Sequence, residues 1–292
     1  PRDIPSTRIA RGFAPSASRR IISSSVTTAA STTRFRKAPI SAVGQWLALS
    51  HRGLIHVVKN GEVVFAIISP LLLAVCFYVP LRRLMDLGGI NYAQFLMPII
   101  LLQSIGFTGS TAAMRVTIDM DRGISTRFRA LPMHRSIPML ARVSTNLLLL
   151  VLSIIFATII CLIIGWRPQG GVMGLVLLYS FALVVGVVVS MLADGIGMVA
   201  GTPQATSQVI GLPLMILSMC SSGFIPPERF PEWIQPFVRN QPVSQITNAL
   251  RALDEYDLDW YHIGPAIWWC VGLTVTSAVL IAVGTRKAAL AR

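Results

Sequence analysis

"VSTNLLLLVLSIIFATIICLIIGW" occupies residues 143–166 and carries no charged side chain. A helix that crosses a bilayer needs roughly 20 mostly apolar residues. Three more uncharged runs of similar length lie along the chain, Val63–Leu81, Tyr92–Met114 and Ile263–Thr285. Val172–Ala193 is a fifth, and the first part of the uncharged stretch Gly195–Pro227 supplies a sixth. Soluble proteins bury apolar helices too, but six of this length in one chain is a membrane pattern. The 292 residues are 53% hydrophobic and only 13% charged, against about 25% charged in an average soluble domain. The runs predict an all-α membrane protein with six transmembrane helices, near 63–81, 92–114, 140–165, 172–199, 206–223 and 263–285.

The basic residues set the expected orientation. With the N-terminus inside, only Arg82, Arg83, Arg167, Arg229, Arg239 and Arg251 of the 25 Lys and Arg fall outside. Seven of the 12 acids fall outside as well: Asp86, Glu228, Glu232, Asp254, Glu255, Asp257 and Asp259. The positive-inside rule then places both termini in the cytoplasm, as in a multi-pass protein of the plasma membrane. The net charge of +13 belongs to the inner face. It suits anionic lipid headgroups and is no sign of a nucleic-acid partner.

Residues 1–38 are rich in Ser, Thr and Arg and hold one acid, Asp3. Such a segment builds no apolar core and is expected to be a disordered basic cytoplasmic tail. An Arg- and Ser-rich, acid-poor composition also fits an organelle transit peptide. From residue 39 the membrane domain is expected to run to residue 292. It opens with an interfacial helix over 40–59, in which Val43, Trp46, Leu47, Leu54, Val57 and Val58 recur at helical spacing. Trp46 is the expected interfacial anchor. An ordinary extension of the first span is the alternative for this segment.

Small residues recur every four positions at Ala193, Gly197 and Gly201, which bares one helix face for close packing. Asp194 is the one acid at the edge of a span, fit for helix-end hydrogen bonding or for a role in transport. Gln103, Thr108 and Ser110 either line a polar path for substrate or bond one helix to another. Cys76, Cys161, Cys220 and Cys270 lie scattered in apolar runs and read as packing residues, with no metal set. His51 and His56 are five apart and so do not share a helix face as metal ligands would.

The segment 224–256 holds Pro226, Pro227, Pro231, Pro236 and Pro242. No continuous helix survives that density. Two short helices fit, near 231–239 and 242–253, each with proline close to its start. Val243, Ile246, Leu250 and Leu253 share one stripe, so the pair is expected to dip into the outer leaflet and return without crossing. A plain outer loop packed on the bundle is the alternative.

Two motifs carry a family resemblance. "DRGISTRFRALPMHRSIPMLAR" (121–142) and "SGFIPPERFPEWIQPFVRNQPVSQITNALRAL" (222–253) resemble the cytoplasmic loop and the outer signature of daunorubicin-resistance-type permeases. These belong to the ABC-2 family of membrane subunits of type-2 ABC exporters, and the chain is most similar to the B permease of that group. The resemblance spans about Val43 to Lys287. It implies the type-2 exporter fold: an interfacial helix, six spans, a cytoplasmic coupling helix within 115–138 and re-entrant outer helices. In this family the loop docks on an ATPase subunit, which makes Asp121, Arg122, Gly123, Ile124, Arg127, Phe128, Arg129, Leu131, Pro132 and Met133 the expected coupling residues. Ile124, Phe128 and Leu131 form an apolar stripe there, flanked by arginines, with Asp119 and Asp121 placed as at a helix N-terminus. A stripe lying on lipid headgroups is the alternative. Phe224, Pro226, Phe230, Trp233, Phe237, Asn240, Gln241 and Pro242 are the expected outer gate.

No G-x-x-x-x-G-K-[ST] occurs, so ATP and Mg²⁺ are expected in a partner ATPase, present in two copies, and not in this chain. A second permease, identical or paralogous, is expected to complete the path among membrane lipids. The resemblance implies export of a drug such as an anthracycline or of a complex envelope lipid from a bacterial inner membrane. A polysaccharide cargo is the alternative. A membrane-embedded enzyme is the other class, but HExxH and GxSxG are absent and Asp194 has no partner carboxylate in a span. A scaffold without transport is the third.

Overall fold

The computed structural model describes residues 41–89, 91–123, 137–200 and 202–290. The tail over 1–38 lies outside them. Every regular element among the described residues is helical. Helix α1 spans Ala42–Lys59 and starts where the Ser41 hydroxyl accepts the Gly44 N–H at 3.1 Å. That bond satisfies one of the free donors of the first turn. Gly61, at φ +73°, turns the chain into α2, Glu62–Asp86. Such a left-handed turn favours glycine, which has no Cβ to clash.

Helix α3, Tyr92–Asp121, is the axis of the bundle. Buried residues occur on all its sides, from Tyr92, Leu96, Ile99 and Leu101 to Ala112, Val116 and Thr117. It touches α2, α4 (Ile137–Ile164), α5 (Gly171–Ala200), α6 (Pro203–Met219) and α8 (Pro242–Asp254). Helix α9, Trp260–Leu290, packs against α5 and α8. Helix α3 is thus largely enclosed, although Phe107 is exposed, whereas α2 and α9 leave long apolar faces open. Phe65, Leu72 and Val79 on α2 and Trp268, Val275 and Val279 on α9 are exposed in the single chain.

Five helices are long and apolar enough to cross a membrane: α2, α3, α4 from Leu140, α5 and α9 to Arg286. The chain is a multi-pass membrane protein. Helix α6 has 17 residues, which is about 26 Å at 1.5 Å per residue and short of the ~30 Å hydrocarbon core. It begins three residues before the expected span 206–223, where Thr202 caps the Ala205 N–H and Pro203 opens the helix. It ends four residues early because serines take over the backbone. The Ser221 hydroxyl donates to the Ser218 carbonyl at 2.6 Å, and the Ser244 hydroxyl accepts the Ser222 N–H at 3.0 Å.

Two further boundaries differ from expectation. The segment expected as loop from residue 115 stays helical through Asp121, and Gly123 at φ +62° ends it. Asp119 and Asp121 therefore sit in the last turn of α3. The first outer helix, expected near 231–239, is a six-residue helix α7, Gln235–Asn240, preceded by a separate 3₁₀ turn at Pro227–Arg229. Pro231 and Pro236 remove the donors that a longer helix would need.

The small-residue face packs as its spacing implies. A Cβ on Gly197 would lie 2.7 Å from the Ala113 carbonyl oxygen, and Ala193 is buried beside Gly109. Backbones of α3 and α5 therefore meet closely.

Candidate functional site

Polar side chains gather at the two ends of the bundle. At the end that carries α1, Glu62 opens α2 and Arg115 lies two turns from the end of α3. Their Oε2 and Nη1 atoms are 2.9 Å apart, with the side chains only 13% and 15% exposed. A second guanidinium nitrogen, Nη2, donates to Asn146 Oδ1 of α4 at 2.7 Å. Asp194 of α5 completes the layer and shares a cavity with Asn146 and Ser190. Three helices thus meet one arginine, with a carboxylate of a fourth beside them. Next to the layer, the Thr117 hydroxyl donates to the Gly197 carbonyl at 3.1 Å and lies 2.9 Å from the Thr206 hydroxyl.

Helix α1 is bound to this end through α4. Trp46 Nε1 donates to the Ser144 hydroxyl at 3.1 Å, and Val57 is fully buried. Gly53 faces Thr145 so closely that a Cβ would lie 2.6 Å from Thr145 Oγ1. The apolar residues expected on one stripe divide between two faces. Trp46 and Val57 pack on the bundle, while Val43, Leu47, Leu54 and Val58 stay exposed on a second face. Arg52, His56 and Lys59 lie on the side away from both. A helix with one packed, one open apolar and one basic face suits a bilayer surface.

At the opposite end, α8 is a buried plug. Val243, Ile246, Leu250 and Leu253 all face the core. Arg251 reaches out of α8 to four acceptors. Nη1 donates to Asn248 Oδ1 at 3.1 Å, and Nη2 to the carbonyls of Phe95 at 3.0 Å and of Ser222 and Gly223 at 3.1 Å each. Its guanidinium carbon sits 3.8 Å from the Phe95 ring centroid. Burial pulls the Arg251 pKa down to about 10, so the group stays charged near neutral pH. Asp254 ends the helix and accepts from Trp166 Nε1 at 2.9 Å. Burial holds the Asp254 carboxyl above the usual range, and the Trp166 bond opposes that shift. The Gln94 side chain and the Arg167 backbone exchange two bonds of 2.7 Å, which fixes the loop after α4 to α3.

The expected outer-gate residues do not form one surface. Phe224 is buried and stacks on Phe77 with centroids 4.0 Å apart. Gln241 is buried and bonds to the Cys220 carbonyl. Pro226, Phe230 and Pro242 are half-buried. Trp233 and Phe237 are exposed, and Asn240 accepts from Trp269 Nε1 at 3.1 Å. The possible path residues are likewise spread out. Gln103 accepts from the Ser218 hydroxyl of α6 at 3.0 Å. Thr108 and Ser110 donate to carbonyls of their own helix, Ile105 and Gly106. Of the expected coupling residues, Asp121, Arg122 and Gly123 are described, while Ile124, Arg127, Phe128, Arg129, Leu131, Pro132 and Met133 lie outside the described residues.

The two arginine sites carry no motif in the sequence. Arg115 counts there only as an inner-loop charge and Arg251 only as an outer charge on an expected short helix. An arginine one residue from an apolar helix stripe, as Arg251 is from Leu250, was the available signal.

A profile described as ABC-2 type transporter matches residues 44–253, from within α1 to the penultimate residue of α8. The chain belongs to the ABC-2 type transporter family. It is similar to the doxorubicin resistance ABC transporter permease protein DrrB of Mycobacterium tuberculosis (strain ATCC 25618 / H37Rv). The two are 29% identical over 234 residues, which cover 75% of this chain and 81% of that protein. It is also 29% identical over 197 residues to the daunorubicin resistance permease DrrB1 of Streptomyces coeruleorubidus, covering 66% of each. The probable doxorubicin resistance permease DrrC of the same M. tuberculosis strain is 28% identical over 237 residues, covering 77% of this chain and 82% of DrrC. In this ABC-2 protein the two polar layers bracket an apolar bundle. Among the described residues no cluster of His, Cys, Asp and Glu is able to hold a metal ion.

Proposed function

We propose that this chain is the permease subunit of an ATP-driven exporter that moves a hydrophobic or amphipathic molecule out of the cytoplasm or the inner leaflet. The observation that carries the reading is the match over 44–253 together with relatives named for doxorubicin and daunorubicin resistance. The structure supports it chemically. Charged side chains concentrate at the two ends of the bundle, and the helices between present apolar surface. A path along such walls suits an anthracycline-like drug or a complex envelope lipid better than a highly hydroxylated polymer.

In this reading the end with α1 is cytoplasmic. Two copies of a separate ATPase subunit supply ATP and Mg²⁺, and a second permease, identical or paralogous, pairs with this one. The segment Gly123–Met133 follows α3 directly, so force applied there by the ATPase is delivered to the central helix. The exposed apolar face of α1, with Leu47 and Leu54, rests in the inner-leaflet interface and guides that motion. Useful work requires that the inward- and outward-facing states differ in affinity for the cargo.

The test is reconstitution of the permease with its ATPase in vesicles and measurement of ATP-driven doxorubicin movement. The double substitution F128A/L131A is expected to abolish ATPase recruitment while leaving the permease in the membrane. Unchanged recruitment and transport in that variant would overturn the coupling assignment. Transport of a lipid-linked glycan in place of the drug would favour the polysaccharide branch.

A further inference from the structure

The layer at the α1 end holds an imbalance that the fold does not require. Arg115 faces two acids on different helices and pairs with one. Its contact with Glu62 is close, yet neither Arg115 Nη1 nor Glu62 Oε2 makes a well-angled hydrogen bond. Across the layer, the buried Oδ1 of Asp194 has no hydrogen-bond partner. Asp194 stands within electrostatic reach of both Arg142 and Arg115 but forms an ion pair with neither. A buried carboxylate oxygen without a partner is expensive, and a second state that pairs it offsets that cost. Asn146 already links the two sides, since it accepts from Arg115 and lines the same cavity as Asp194. That cavity is about 20 Å³, room for one water and no larger ligand. It serves as slack for a side-chain shift and is too small for a cargo site.

Position makes the imbalance mechanical. Arg115 lies six residues before Asp121, where α3 ends and the proposed coupling segment begins. A push on that segment turns or slides the end of α3, and Arg115 moves with it. Glu62 is the first residue of α2, so whatever holds Glu62 sets the position of that helix start.

We propose that Arg115 is a positioning residue for transport, handed from Glu62 to Asp194 as the end of α3 moves. In the state seen here Arg115 ties α2 to α3 and α4. In the other state it ties α3 to α5 and frees the start of α2, whose outward face is otherwise unpacked. Asn146 keeps one guanidinium bond through the exchange. The inference rests on the exporter reading above.

The experiment uses the full permease–ATPase complex in vesicles, with doxorubicin as cargo. D194N and E62Q are near-isosteric, and each is compared with wild type for drug moved per ATP hydrolysed. D194N removes the second resting place, and the expected result is a ten-fold or greater loss of drug moved per ATP with hydrolysis within about two-fold of wild type. E62Q removes the first, and the expected result is hydrolysis that no longer responds to drug. D194E is expected to restore coupling, and R142Q in the D194N background to change nothing further.

A second measurement needs no substitution. Dicyclohexylcarbodiimide modifies protonated carboxyl groups, the form that an acid in apolar surroundings takes when it lacks an ion-pair partner. On the wild-type complex, labelling is expected at Asp194 without nucleotide and at Glu62 after trapping with ATP and vanadate. Labelling of the two acids that does not change with nucleotide, or wild-type coupling in both D194N and E62Q, overturns the exchange. A wild-type complex that moves no drug on ATP overturns the exporter reading itself, which separates the two failures.

Discussion

The guanidinium of Arg251 stacks on the ring of Phe95, 3.8 Å from its centroid, and the same side chain donates to the Phe95 carbonyl at 3.0 Å. One residue of the plug helix thus grips the central helix by both its ring and its backbone. The carbonyls of Ser222 and Gly223, just past the end of α6, are held by the same nitrogen. Helix α8 is for this reason a fixed part of the bundle, and motion at this end falls to the arm before it, which carries Trp233 and Phe237.

R251A is expected to cost about 2–4 kcal/mol of stability, since buried acceptors that lose a charged donor cost about 1–3 kcal/mol each and relax in part. It leaves three carbonyls and Asn248 without their donor. R251K keeps the charge but loses the planar fork and is expected to fall between wild type and R251A. Thermal unfolding of the detergent-purified protein checks the order. Equal stability of R251A and wild type would remove Arg251 as the anchor of α8.

Asp254 gives the plug a pH signature. Burial raises its pKa in the folded state, while in the unfolded chain it is an ordinary carboxylate. Folding therefore takes up a proton between those two values. The stabilising contribution is fully present below the unfolded-state pKa and is lost as pH rises through the folded-state pKa. D254N is neutral throughout and still accepts from Trp166 Nε1. Its melting temperature is expected to gain on wild type as pH is raised from about 4 to about 7. A gain on acidification instead would mean that Asp254 is held ionised.

Close packing of α3 on α5 is tested at Gly197. A methyl group there meets the Ala113 carbonyl oxygen at 2.7 Å, and backbone cannot yield as a flexible side chain does. G197A is expected to destabilise by about 1–3 kcal/mol, the usual overpacking range. G211A is the control, since nothing lies within 4 Å of a Cβ at Gly211. Similar loss in both variants would point to helix dynamics and away from contact.

The long uncharged runs, the small-residue face and the α8 stripe were legible in the sequence because each is a periodic pattern set by one helix and its solvent. The end of α3 was not. Charge after Met114 suggested a loop, yet Arg115 is neutralised by Glu62, some 50 residues earlier, so the helix continues into the charged region. Such pairing is a tertiary event with no local mark. The outer aromatics show the same limit. Phe224 and Trp233 look alike in sequence, but Phe224 is buried against Phe77 while Trp233 is exposed. Of the path candidates, Thr108 and Ser110 spend their hydroxyls on their own helix, a choice that spacing does not reveal.

The seat of α1 offers a test of how the bundle end is assembled. Trp46 and Ser144 are linked by one bond of 3.1 Å between α1 and α4, and the indole is half-buried. W46F removes the donor while keeping an aromatic ring, and S144A removes the acceptor while leaving the Leu140 carbonyl that Ser144 also bonds. Each is expected to cost about 0.5–1.5 kcal/mol, the net worth of a typical bond. Because they break the same bond, the double variant is expected to cost less than the sum of the two. Full additivity would show that the bond does not couple α1 to α4. Loss of transport without loss of stability in either variant would instead assign the bond to motion of α1, and labelling of cysteines placed at the exposed positions Leu47 and Leu54 would then report that motion during ATP turnover.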